Sequence, residues 1–164
     1  MSKRKATEME EDSCKIPKSS WQGGLLRSIK NPKMKIKEDD KVTVIKDLYP
    51  KAVHHYLVIP KEPIVNLLKL TKDHLHLLEH MDAVGMEITS QFPKEEFRLG
   101  YHAVPSMSQL HLHVISQDFN SPFLKTKKHW NSFTSKFFLE SQGNTKNPLP
   151  SVFYVMLCQT PDLI

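Results

Sequence analysis

The stretch Gln109-Leu110-His111-Leu112-His113-Val114-Ile115 constrains the fold more than any other part of the chain. In an extended strand successive side chains alternate faces, so Gln109, His111 and His113 project one way and Leu110, Leu112 and Val114 the other. One face belongs against an apolar core. The other carries three nitrogen-bearing groups that need partners or a task, because unpaired polar groups are costly to bury. Three uses are open on the alternation alone. His-x-His on a strand chelates a metal when a third His or a carboxylate lies nearby. One imidazole can be a nucleophile whose neighbours hold and polarise the reacting group. Or the histidines are satisfied structural groups.

The rest of the pattern supplies a sheet for that strand. Val42-Thr43-Val44-Ile45 and Tyr56-Leu57-Val58-Ile59 read as strands, the second stopped by Pro60. Phe97 to His102 and Leu110 to Ser116 read as two more, joined by a turn at Val104-Pro105-Ser106-Met107-Ser108. Thr71 is a candidate N-cap for one long helix to about Gln91, with Leu77, Met81, Val84 and Ile88 on its apolar stripe. A short helix is expected after Trp21, ended by Asn31-Pro32. Strands in runs around one main helix, without βαβ alternation, indicate an α+β fold with an antiparallel sheet.

Composition narrows the class. The 164 residues suit one domain with some tail to spare. The two cysteines, Cys14 and Cys158, lie near opposite ends, which gives no disulfide framework and no zinc-finger spacing. No apolar run approaches the roughly 18–20 residues of a membrane span, and residues 1–20 are polar throughout, without a signal-peptide core. The expectation is an intracellular, reduced protein with a disordered head over 1–20. The net charge of +5 is a weak pointer to a polyanion. It is concentrated between Lys125 and Lys136, four lysines with no acid beside His129 and Trp130.

Two further motifs carry a resemblance. Asp47-Leu48-Tyr49-Pro50-Lys51-Ala52-Val53-His54-His55, running into the strand that ends at Pro60, is followed about fifty residues later by the Gln-x-His-x-His strand. Together they resemble the histidine triad (HIT) family of nucleotide hydrolases and transferases. Phe97-Arg98-Leu99-Gly100-Tyr101-His102 through Ser108, with Ser116-Gln117-Asp118-Phe119 and Lys127-Lys128-His129-Trp130, is similar to the aprataxin branch of that family. The similarity covers about residues 21–142 and implies a HIT-type catalytic domain: an antiparallel sheet, one long helix and a short N-terminal helix.

The function implied by the resemblance is hydrolysis of AMP from the 5′ ends of DNA left by abortive ligation, in nuclear single-strand break repair. By the family pattern His111 attacks the AMP phosphorus and water resolves the AMP–histidine intermediate, with no metal in the site. His113, Ser106 and a lysine are donors for the phosphoryl oxygens, His102 the candidate acid for the leaving DNA phosphate, and His55 a support for the nucleophile. Asp47 matches the acid that receives the ribose hydroxyls, while Leu25 and Met107 line the adenine slot. Gln109 stands where many members have the first triad histidine. Lys125, Lys127, Lys128, His129 and Trp130 are expected DNA contacts, with Trp21 stacking on the exposed terminal base pair. Family members usually add a zinc-binding C2H2 finger, and some a phosphopeptide-binding domain. Neither pattern is found here, so the expectation is a short form without that zinc or those repair partners. Its DNA binding should be weaker, Phe133, Phe137 and Phe138 under-packed, and 143–164 an atypical tail.

Overall fold

The computed structural model describes residues 24–104 and 107–142. Six strands form one sheet: β1 (Lys35–Glu38), β2 (Val42–Lys46), β3 (His55–Pro60), β4 (Phe97–His102), β5 (Leu112–Ser116) and β6 (Phe138–Glu140). Their order across the sheet is β1-β2-β3-β5-β4-β6, every neighbouring pair antiparallel. The helices are α1 (Gly24–Lys30), α2 (Leu75–Thr89) and α3 (Lys127–Thr134). This is the α+β architecture expected from the sequence, with its single long helix.

Alternation along the central strands sorts the side chains into two layers. Val44, Val58, Leu112 and Val114 face α2, whose Leu78, Met81, Val84 and Ile88 complete one core. Gly85 lets that helix lie close, since a Cβ there would stand 2.7 Å from Leu99 Cδ2 and 3.2 Å from Val114 Cγ2. The opposite face holds two smaller apolar clusters. Leu25 of α1 packs with Ile45, Leu57 and Ile59, and Phe133 of α3 packs with Ala52, Ile115 and Phe138. His55 shares its side of β3 with Leu57 and Ile59, and His113 shares its side of β5 with Ile115. The histidines therefore sit on the face away from α2.

Several boundaries depart from the sequence reading. Thr71 heads a separate 3-10 turn, Lys72–His74, rather than α2 itself. His74 Nδ1 accepts from the Thr71 N–H at 2.9 Å and closes that turn, so α2 starts at Leu75. It stops at Thr89, ahead of Phe92-Pro93, where proline restricts the backbone. Leu78 rather than Leu77 is the fully buried residue of its first turn. The β5 ladder begins at Leu112, opposite Val58, so His111 lies just before the strand and not inside it.

Three elements had weak signals. Strands β1 and β6 are the sheet edges, four and three residues long, and edge strands carry little apolar pattern. Helix α3 occupies the basic run, with Thr126 capping the His129 N–H at 3.2 Å and only Phe133 buried. Phe133 and Phe138, expected to be under-packed, are 3% and 4% exposed, because α3 and β6 close over each other; Phe137 is 51% exposed. Among the described residues no helix is long and apolar enough to cross a membrane.

Candidate active site

Four histidines converge where β3, β4 and β5 lie side by side. His113 of β5 is the hub. Its ring centroid is 4.3 Å from that of His102 on β4, 4.7 Å from His111 and 5.2 Å from His55 on β3. Phe133 of α3 forms one wall, with centroid distances of 4.7 Å to His102, 5.2 Å to His113 and 5.4 Å to His55. His55, His111 and His113 are each under 5% exposed.

The hydrogen bonds assign the ring protons. The Lys51 backbone N–H donates to His55 Nδ1 at 3.1 Å, so His55 carries its proton on Nε2. That Nε2 lies 2.9 Å from His113 Nδ1 and donates to it. His113 is then protonated on Nε2, which is buried without a partner among the described residues, as is His102 Nε2. His111 Nδ1–H donates to the Gln109 carbonyl at 2.7 Å, leaving the lone pair on Nε2. One uncommitted ring nitrogen thus adjoins a donor with nothing to bond. This is the arrangement a nucleophile and an anionic oxygen require.

Electrostatics keep the cluster neutral. Burial lowers the pKa of His55 to about 4, with Asp47 pulling upward and the Lys51 and His111 charges downward. Burial and the neighbouring His111 and His55 bring His102 to about 4. His113 is pushed well below its ordinary value by burial and then by His102. His111 is lowered by burial, opposed by its bond to Gln109 and by Asp47. Neutral imidazole is the nucleophilic form.

Neutral, clustered imidazoles also suit a metal. The ligand atoms of His102, His111 and His113 lie within 4.8 Å of one another, as do those of Asp47, His55 and His113. In the second trio His55 Nε2 and His113 Nδ1 already bond each other. The first contains no such internal bond and is the better candidate.

Comparisons with known proteins now decide the family. Residues 20–129 match the sequence profile of a family described as "Scavenger mRNA decapping enzyme C-term binding". A solved structure of the aprataxin ortholog Hnt3 from Schizosaccharomyces pombe is 30% identical, covers 75% of this chain and 70% of its own, and superposes with a TM-score of 0.61. The chain belongs to the aprataxin branch of the histidine triad family. The aprataxin of Gallus gallus is 59% identical over 125 residues, 74% of this chain, and that of Danio rerio 56% over the same length. The chain spans about two fifths of the length of those two curated relatives. An Hnt3 structure in complex with DNA and guanosine has a TM-score of 0.63 at 28% identity and covers 79% of each chain.

The other aprataxin-type positions are arranged as follows. Gln109 has its amide committed, Nε2 donating to the Pro60 and Glu62 carbonyls at 3.1 and 3.0 Å. It braces the end of β3 where a triad histidine often stands. Asp47 accepts from the Tyr49 N–H at 2.7 Å on one oxygen, and its other oxygen lies 3.6 Å from His55 Nδ1. Leu25 and Met107 share one apolar cluster beside the histidine face. Lys125, Lys127 and Lys128 are exposed at the start of α3, on whose later turn Phe133 lines the site. His129 Nδ1 accepts from the Lys125 N–H at 3.3 Å, and Trp130 packs on Phe119 at 4.9 Å with 45% of its surface free. Trp21 and Ser106 lie outside the described residues.

One group was missed. Lys51 is half-buried beside Asp47, its amine donating to the Tyr49 carbonyl, and burial lowers its pKa. Its charge is felt by His55, His102 and His113 alike. The signal available was its place four residues before His55.

A pH dependence follows. A histidine whose folded pKa lies below its unfolded value of about 6.5 is disfavoured as the cation, so the unfolded chain binds more protons between the two values. Stability contributed by His55 and His102 is present above pH 6.5 and lost as pH falls toward 4. The melting temperature is expected to drop from near pH 6, by less than the histidines alone would give, because burial raises the Asp82 carboxyl to about 6 and its protonation over the same range favours the fold. In Asp82→Asn, which removes that offset, a flat profile down to pH 4.5 would contradict the neutral cluster.

Proposed function

We propose that the chain hydrolyses AMP from the adenylated 5′ ends of DNA through a covalent AMP–His111 intermediate. The observation that carries this is the pinned ring of His111, with Nδ1–H on the Gln109 carbonyl and Nε2 free beside the unpartnered His113 Nε2–H. In the first step His111 Nε2 bonds to the AMP phosphorus and the pyrophosphate P–O bond breaks. His102 is assigned to hydrogen-bond the departing DNA phosphate, which leaves as an anion and needs no proton from the neutral ring. His113 Nε2–H donates to a non-bridging oxygen as charge builds there, and Lys51 adds a positive charge. Water then cleaves the P–N bond and releases AMP, restoring His111. Asp47 is assigned to the ribose hydroxyls and the Leu25–Met107 cluster to the adenine.

DNA is the proposed substrate because the exposed lysines start α3, the helix that lines the site, and because related Hnt3 structures hold DNA. The nuclear setting belongs to the same reading. The test compares AMP release from a 5′-adenylated nicked duplex with release from a free adenine dinucleotide. The nick should be the better substrate, and Lys127→Ala with Lys128→Ala should reduce its binding and flatten the salt dependence by about one unit for each phosphate no longer neutralised. Equal use of both substrates would make the chain a general HIT nucleotide hydrolase. Binding without turnover would make it a DNA-end-binding module.

A second reading rests on the His102, His111 and His113 nitrogens as a metal trio. Activity retained in excess chelator supports the nucleophile, and activity lost there supports the metal.

A further inference from the structure

The hydrogen-bond chain that fixes the histidine tautomers does not begin at His55. The Lys51 N–H that bonds His55 Nδ1 belongs to the same peptide group as the Pro50 carbonyl, and that carbonyl is held from outside its loop. Ser121 Oγ donates to the Pro50 oxygen at 2.6 Å. The Phe123 backbone N–H donates to the same Oγ at 3.2 Å, which directs the hydroxyl proton toward Pro50. Phe123 also packs edge-on against Tyr49, centroids 5.5 Å apart, so the two loops meet at a second point.

We propose that Ser121 is a positioning residue of the histidine site, acting through the Pro50–Lys51 peptide to set which nitrogen of His55 and of His113 carries the proton. The connected path is Phe123 N–H to Ser121 Oγ, Ser121 O–H to Pro50 C=O, Lys51 N–H to His55 Nδ1, and His55 Nε2–H to His113 Nδ1. Each donor polarises the next, and a peptide whose oxygen accepts a hydrogen bond is a stronger donor at its N–H. The bond to Pro50 also fixes the orientation of the peptide plane. Without it, the plane can turn and the Lys51 N–H leaves the ring. His55 is then free to place its proton on Nδ1, facing Asp47 at 3.6 Å. His55 Nε2 becomes an acceptor, His113 must protonate on Nδ1, and its Nε2–H is withdrawn from the site. The relay is local: Ser121 lies four residues before Lys125, and its hydroxyl bonds the Pro50 carbonyl and the Phe123 N–H.

The catalytic consequence rests on the function proposed above, whereas the tautomer assignment does not, so the experiment reads both. In the whole chain, the ring nitrogens of wild type, Ser121→Ala and Ser121→Thr are observed by long-range proton–nitrogen correlation at pH 7.5. Wild type and Ser121→Thr should show His55 and His113 each protonated on Nε2. Ser121→Ala should show a mixed population at both rings, with His111 unchanged. In turnover on the 5′-adenylated nick, Ser121→Ala should lower kcat about tenfold with KM little changed, and Ser121→Thr should restore it. If Ser121→Ala keeps the wild-type tautomers at both rings, the relay is wrong whatever happens to the rate. If the tautomers shift while wild type itself releases no AMP, the relay stands and the proposed function fails.

Discussion

His111→Asn should leave the fold intact and lower AMP release from a 5′-adenylated nick by about 10⁴-fold or more, the scale of losing a nucleophile. Asparagine is smaller than histidine, and its amide can still donate to the Gln109 carbonyl that now accepts from His111 Nδ1 at 2.7 Å. The stability change should therefore stay near 1 kcal/mol. What is lost is the ring nitrogen on the opposite side, whose lone pair is uncommitted. The measurement is single-turnover AMP release, with binding to the nick followed in parallel. Retained binding with abolished release is the expected pair. Comparable slow release from mutant and wild type would mean that the histidine is not the attacking group.

Gly100→Ala should be the most damaging small substitution outside the histidines. A Cβ at Gly100 would stand 2.5 Å from the Leu139 carbonyl oxygen and 2.6 Å from the Phe138 ring. The first of these is backbone, held in the β4–β6 ladder where Gly100 faces Glu140 and Tyr101 faces Leu139. The edge strand has to shift, at a cost of about 1–3 kcal/mol or more. The effect reaches the site, because Phe138 lies 6.1 Å from His102 and 5.7 Å from Phe133. Urea unfolding and kcat should fall together. Gly85→Ala is the comparison: its closest contact is the movable end of Leu99, and alanine gains about 1 kcal/mol of helix propensity over glycine. Equal stability of the two variants would contradict the packing described for β6.

The site was more legible in the sequence than its surroundings. Alternation alone put His111 and His113 on one face, because the strand period is fixed by covalent geometry. The structure keeps that face even though the ladder starts two residues later than read, at Leu112. The contribution of His102 from the neighbouring strand was equally readable once β4 and β5 were placed. Long-range hydrogen bonds were not readable. Nothing in the local pattern says that Gln109 spends its amide on Pro60 and Glu62, or that the Lys51 peptide faces His55, since both depend on register across β3 and β5. Helix α3 was missed because its basic first turn carries no apolar period, and Phe133 is its one buried residue. The choice between nucleophile and metal also escapes periodicity, because both need neutral imidazoles in one place.

The central claim is a bond between His111 and AMP. The direct measurement is denaturing mass spectrometry of the chain, acid-sparing and quenched during turnover of a 5′-adenylated nick, followed by peptide mapping. An AMP adduct on the peptide containing His111, labile to acid and absent from His111→Asn, is the expected result. No adduct under conditions where AMP is being released, or an adduct mapping to Lys51 instead, would contradict the account.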